Sequence, residues 1–378
     1  MRSTAERGGV PVNQEMETGG HGGDLTAAAK RFGIRPEEFC DFSSNINPLG
    51  PPEGLLEELK KHLHDILHYP PPQARELRRM LSLSLNIAEE RLLLGNGANE
   101  LIHLFFLWQR PSRVIIPSPT FAEYERAARL VGSAVERFPL PLEKPFDLKL
   151  LSERLREHDL LVFCNPNNPT GMGYPRELMD NMVKEAHERG ASVLLDESFL
   201  TFTGRASEES LSHCDYPNLW VVTSLTKLWA LPGLRLGYLI GHPQKMRVLT
   251  QNGDPWRVNT LAQRAGIYCL SQEDYLTRSL ELIGRERNFL MGELQKIDRV
   301  RVFNGEANFL LLRGEEERFS SKRLFLDLAA RAVLIRNASN FSGLDERYFR
   351  IAVRSRSENE KLLKVLWEVF KHYRIKIQ

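Results

Sequence analysis

The chain has 378 residues, a formal net charge of +2 and 42% hydrophobic residues, enough for one large or two medium domains with a sizeable core. So balanced a charge argues against nucleic acid or an anionic membrane as partner, and no apolar run approaches the roughly 18 residues of a membrane span. The four cysteines, Cys40, Cys164, Cys214 and Cys269, stand far apart without paired spacing, which favours a reducing cytoplasm and speaks against a structural metal.

Residues 1–20 lack the hydrophobic segment of a secretory signal and are expected to form a mobile arm, with order beginning near His21. His62, His64 and His68 recur at helical spacing beside Asp65, but a metal site also needs convergent supporting groups, so no metal is expected. From about residue 90 to 245, short apolar runs alternate with longer amphipathic ones. Strands are predicted at 92–94, 114–116, 160–163, 193–195, 220–222 and 239–240, with helices at 100–108, 123–131 and 176–189. This is the α/β alternation of a mostly parallel sheet with helices on both faces. Beyond residue 255 the pattern becomes a smaller α+β unit. It comprises one long amphipathic helix over 260–297, a strand at 309–312, a helix at 322–331, strands at 333–336 and 349–353, and a final helix from residue 359. The expected organisation is an N-terminal arm (1–44), a large domain (45–255), and a connecting helix with a small C-terminal domain (256–378).

Ligands of such sheets gather beyond the carboxyl ends of the strands, and the chemically suggestive residues all follow predicted strands. Gly95-Asn96-Gly97-Ala98-Asn99 reads as a glycine turn opening a helix, whose free N–H groups suit an anion. Asn165-Pro166-Asn167-Asn168-Pro169-Thr170-Gly171 reads as a rigid loop with asparagines able to donate to a ring oxygen. Asp196 ends an apolar run, and a buried aspartate needs a cationic or donor partner. A protonated pyridine nitrogen would serve, as would the backbone N–H groups of a helix that it caps. Ser224-Leu225-Thr226-Lys227 places an amine just past a strand in apolar company. Lost hydration lowers its pKa toward a neutral amine able to form a Schiff base. Ser224 and Arg235 could hold an anion beside it. Amine and phosphate clamp together suit pyridoxal phosphate, whereas a solvated lysine and a packing arginine would explain the segment alone.

Taken together, these motifs resemble the aspartate aminotransferase superfamily, the fold type I pyridoxal-phosphate enzymes, over nearly the whole chain from His21. The resemblance implies that Lys227 binds the cofactor covalently, Asp196 pairs with its pyridine nitrogen and Asn168 bonds its ring hydroxyl. Gly97, Ala98, Asn99, Ser224 and Arg235 would cradle its phosphate, and Phe121 would stack on its ring. Phe199 departs from the tyrosine that many relatives carry three residues after the aspartate.

Asp41-Phe42-Ser43-Ser44-Asn45-Ile46-Asn47-Pro48-Leu49-Gly50 resembles the amino-terminal signature of the L-threonine-O-3-phosphate decarboxylases of cobalamin biosynthesis. His21-Gly22-Gly23 resembles their substrate loop, although Asp24 stands where asparagine is common. The histidinol-phosphate aminotransferases are near relatives and share Tyr69-Pro70, whose tyrosine reaches the partner's cofactor and implies a homodimer. An amino-acid phosphate has two anionic ends, each calling for a guanidinium. Arg350 falls at the α-carboxylate arginine, and Arg336 suits the phosphate with His21 and Asn45 assisting, while Arg354 and Arg356 read as surface charges. The motifs serve decarboxylation and transamination alike, because the outcome depends on which bond is aligned with the ring. The expected substrate is therefore a small phosphorylated amino acid, decarboxylated rather than transaminated by resemblance. A cofactor-binding regulator without turnover is the remaining alternative.

Overall fold

The computed structural model describes residues 22–251 and 253–375, apart from the side chains of 372–375. The proposed arm 1–20 and His21 lie outside the described residues. Three sheets are formed. A two-stranded parallel sheet joins β1 (Cys40–Asp41) to β11 (Val333–Leu334). The central sheet has seven strands: β2 (Leu92–Gly95), β3 (Arg113–Ser118), β4 (Ala134–Pro139), β5 (Leu160–Cys164), β6 (Ser192–Asp196), β7 (Leu219–Ser224) and β8 (Gly237–Ile240), in the order β2-β8-β7-β6-β5-β3-β4. A four-stranded antiparallel sheet, ordered β12-β13-β10-β9, is built from β9 (Val300–Val302), β10 (Phe309–Gly314), β12 (Arg336–Asn337) and β13 (Tyr348–Ala352).

Every residue of β5 is buried, as a strand covered on both faces requires. Alternate side chains serve two cores. Leu161 and Phe163 join Met179, Met182 and Val183 of helix Arg176–Glu188 on one face. Leu160 and Val162 join Phe105 and Phe106 of helix Ala98–Gln109 on the other. β8 is the exception to parallel pairing, running antiparallel to both β2 and β7. The connection from β7, residues 225–236, is made of turns and holds no helix, so the chain returns beside β7 without a helical crossover. This reversal puts the start of β8 at the carboxyl edge, where Gly237 pairs with Gly95 and Ser224.

The structure corrects several expectations. The helix predicted over 260–297 is two helices, Thr260–Leu270 and Glu273–Leu294, broken at Gln272 with φ −94° and ψ 86°. The first packs Ala262, Ala265 and Cys269 onto the core of the central sheet; the second carries Leu290 and Leu294 into the core of the small sheet. The strand predicted over 333–336 also divides. β11 joins β1, whereas β12 joins β13, because the chain passes from one sheet to another at Ile335. β4 was not predicted; it is an edge strand that carries two charged residues, Glu136 paired with Arg113 and Arg137 with Glu125, a composition that blunts further pairing. The last helix begins at Arg356, not residue 359. Arg356 does more than face solvent, since its guanidinium bonds buried Glu286 across two helices.

Among the described residues no helix is long and apolar enough to cross a membrane. The ring nitrogens of His62 lie 2.9 Å from Asp65 and 3.2 Å from Glu58, so this histidine of the cluster is engaged in local pairing.

Candidate active site

Gly95, Ser118, Cys164, Asp196 and Ser224 end five strands at the same edge of the central sheet, and a cleft of about 760 Å³ opens there. Segment 43–46 forms part of its rim, and Arg336 and Arg350 enter from the small sheet. Lys227 follows β7 by three residues. Its Nζ lies 3.3 Å from Ser224 Oγ and 3.4 Å from Thr226 Oγ1. Withdrawal from bulk water lowers its pKa to about 8; Asp196 opposes the shift, and Arg235 and Arg350 add to it. The backbone of Lys227 is held in turn, accepting a hydrogen bond from Asn47 N–H at 3.1 Å.

Gly97 precedes helix Ala98–Gln109 with φ +84° and brings no side chain to cap it, so the first N–H groups face the cleft. A Cβ at Gly97 would stand 2.5 Å from Arg235 Nη2. Glycine is thus what lets the guanidinium lie against the turn. Arg235 itself holds φ 58°, a left-handed conformation uncommon for a side-chain-bearing residue. Ser224 and Thr226 join their hydroxyls at 2.9 Å beside it. N–H groups, two hydroxyls and a guanidinium therefore converge as an anion cradle. Thr226 was missed in the sequence, although a hydroxyl immediately before the lysine was the available signal.

Asp196 is 5% exposed. Its Oδ1 accepts Ser198 N–H at 2.9 Å and its Oδ2 accepts the Tyr124 hydroxyl at 2.6 Å. Tyr124 was also missed, for the motif at 196 says nothing of a partner 72 residues away. Glu197 points elsewhere, bonded by Ser210 and by Leu211 N–H, with burial raising its pKa to about 7.

Of the three loop asparagines only Asn168 lines the cleft. Asn165 bonds the backbone of Tyr174 twice at 2.9 Å, and Asn167 bonds Pro119 O, Thr120 and Thr170. Arg350 Nη1 donates to Asn168 Oδ1 at 2.5 Å. Because guanidinium only donates, the asparagine's oxygen must face Arg350, leaving its NH₂ for another acceptor. Phe121 lines the cleft edge-to-face with Tyr124 at 5.5 Å. Phe199 brings no hydroxyl and instead packs edge-to-face on Phe309 at 5.0 Å.

Arg336 and Arg350 stand directly opposite each other on β12 and β13. Both are buried, at 7% and 6% exposure, and like charges in facing positions repel. Burial and the neighbouring Arg336 lower the Arg350 pKa to about 9, while Asp41 opposes the change. Arg350 also donates to Ser43 O at 2.8 Å and lies over Phe309. Arg336 bonds Asn340 at 2.8 Å and lies over Phe341. Asn45 is buried on the same side, its Oδ1 without a hydrogen-bond partner. Gly22 also lines the cleft, so close to Ser43 O that a Cβ would stand 2.2 Å away. Asp24 caps helix Leu25–Phe32 by accepting Ala27 N–H. Tyr69 is not in this cleft; it is 81% exposed and lies tilted against Trp256, ring centroids 4.8 Å apart.

A buried amine, a buried carboxylate and an anion cradle on one edge of a seven-stranded sheet suit an aromatic aldehyde phosphate. The chain belongs to the aminotransferase class I and II family, which it matches over residues 37–366. It is an enzyme of the type I pyridoxal-phosphate fold, and its cofactor is pyridoxal 5'-phosphate. It is 35% identical to the threonine-phosphate decarboxylase of Salmonella typhimurium, over 92% of this chain and 96% of that one. It is also 35% identical to a histidinol-phosphate aminotransferase of Desulfitobacterium hafniense, over 87% and 91%. The crystal structure of L-threonine-O-3-phosphate decarboxylase from Porphyromonas gingivalis superposes with a TM-score of 0.77 at 28% identity, covering 87% of this chain and 99% of that chain. The residues present fit the cofactor. The glycine turn admits a phosphate beside Arg235, and the donor of Asn168 and the carboxylate of Asp196 remain open to the cleft.

Proposed function

We propose that this enzyme decarboxylates L-threonine O-3-phosphate to (R)-1-amino-2-propanol O-2-phosphate, a linker precursor for the nucleotide loop of cobalamin. The observation that carries the reading is the opposed pair Arg336 and Arg350 at the cleft, two buried cations that a substrate with two anionic ends would reconcile. The decarboxylase relatives support the reaction type. Lys227 holds the cofactor, Asp196 its ring nitrogen, Asn168 its ring hydroxyl, Phe121 its ring face, and Gly97, Ala98, Asn99, Ser224 and Arg235 its phosphate. When bound, pyridoxal phosphate supplies an electron sink for the electron pair left behind by carbon dioxide. Arg350 grips the substrate carboxylate, and Arg336 takes the phosphate with Asn45 beside it, a part that the resemblance also gives to His21. By fixing the carboxylate, Arg350 would choose which bond of the substrate is oriented for breaking. Lys227 then returns a proton to the substrate carbon.

The test is product analysis. L-threonine O-3-phosphate is expected to release one carbon dioxide per amine formed, with no requirement for a keto acid. L-serine O-phosphate lacks one methyl, a difference worth about 1–3 kcal/mol, so slower turnover of it is expected. Conversion of the cofactor to its amine form by an amino donor, without carbon dioxide, would instead make the enzyme an aminotransferase of the histidinol-phosphate type, the reading that the second relative favours.

The depressed amine predicts a pH dependence. A base whose pKa is lowered to about 8 is mostly neutral above that pH and protonated below it. Only the neutral amine attacks a carbonyl. Capture of pyridoxal phosphate by the cofactor-free protein, followed by visible absorbance, is expected to quicken up to about pH 8 and level off above. A rise continuing to about pH 10, the range of an ordinary lysine, would contradict the assignment.

The enzyme is further proposed to work as a homodimer in the cytoplasm, where its four free thiols stay reduced. Tyr69 and Trp256 are exposed and lie against each other, and Ile66 and Leu67, two and three residues before Tyr69, are exposed as well, apolar surface that a partner subunit would cover. In this arrangement Tyr69 reaches the partner's cofactor phosphate.

A further inference from the structure

We propose that Tyr124 is a positioning residue for Asp196, its phenol holding that carboxylate aimed at the ring nitrogen of the bound cofactor. This rests on the reading that Asp196 faces that nitrogen. Helix Ala122–Leu130 begins directly after Phe121, so its first turn delivers Tyr124 beneath the ring that would stack on the cofactor. Tyr124 is completely buried, packed with Ile116, Val162 and Leu194. Its hydroxyl reaches Asp196 Oδ2 at 2.6 Å, while Ser198 N–H holds Oδ1 at 2.9 Å. The carboxylate is thus tied on both oxygens from the protein side and cannot swing, and its remaining lone pairs face the cleft that it lines. Facing a carboxylate, a phenol can only donate. Burial and the neighbouring carboxylate push the Tyr124 pKa well above its usual range, so it remains a donor wherever the enzyme works.

A purely structural tyrosine would need the same hydrogen bond, so the test must separate the two roles. Tyr124→Phe, Asp196→Asn and the double variant are purified with pyridoxal phosphate, and cofactor dissociation is measured by absorbance. Tyr124→Phe is expected to weaken cofactor binding roughly tenfold, because the carboxylate is then free to swing away from the ring nitrogen. In the Asp196→Asn background the same change is expected to add nothing, since no carboxylate is left to aim. Unchanged binding in Tyr124→Phe, or simple addition in the double variant, overturns the proposal. Unchanged binding in Asp196→Asn alone overturns the placement of Asp196 and the role of Tyr124 with it. Should Tyr124→Phe not fold, 3-fluorotyrosine placed at position 124 keeps the phenol and strengthens its donation. The cofactor is then expected to bind more tightly than in the unmodified enzyme, and unchanged or weaker binding counts against the proposal.

Discussion

Lys227→Ala is expected to remove the visible absorbance of bound cofactor and to lower turnover by roughly four orders of magnitude or more. Among the described residues no other lysine lines the cleft. Lys245, the other lysine whose pKa is lowered by burial, donates to Pro217 O and is not among the lining residues. On the proposed reading, losing Lys227 would remove two functions together, the covalent hold on the cofactor and the proton returned to the substrate carbon. Added primary amines therefore restore only the second. The fold is expected to survive, because the side chain makes only long contacts with Ser224 and Thr226. Absorbance and turnover that both persist in the variant would place the reactive amine elsewhere.

The second large effect is a division of labour between two arginines. Arg336→Met is expected to raise the substrate KM roughly a hundredfold, the loss of a charge-assisted bidentate contact, and to leave the cofactor dissociation constant unchanged. Arg235→Met is expected to do the reverse and weaken the cofactor first, because its guanidinium lies against Gly97 at the helix start and not with the small sheet. Stability provides an independent check. Arg336 faces the like charge of Arg350 across two strands, so its replacement by a neutral side chain relieves repulsion. The cofactor-free Arg336→Met protein is expected to be no less stable than wild type, with a gain of up to about 1 kcal/mol in chemical unfolding. A raised KM for a substrate analogue lacking the phosphate, equal to that for the phosphorylated substrate, would show that Arg336 does not read that group.

Much of this site could be read along the chain because its parts are local. A strand end, a glycine turn and a helix start are specified within a few residues, which is why Gly97, Asp196 and Lys227 were placed correctly at the carboxyl edge. The buried strands were equally legible, since two-sided burial demands continuous apolar runs such as Leu160-Leu161-Val162-Phe163. The cut between helices Thr260–Leu270 and Glu273–Leu294 was not, because both halves are amphipathic. What differs is the core against which each packs.

The sequence by itself determined the inventory of chemical groups, the strands that present them and the family to which the chain belongs. Tertiary structure decided their partners. Arg235 joins the edge that holds Lys227 only because β8 runs antiparallel to its neighbours. Arg336 and Arg350 become one cationic pair only through the register of β12 on β13. Asn168, and not Asn165 or Asn167, is left for a ligand because the loop's own hydrogen bonds occupy the other two. Tyr124 meets Asp196 across two separate elements. Periodicity tells which side chains leave water, but not which distant group each will meet. Register and packing between remote segments set those meetings, and with them the charge and direction of every group in the cleft.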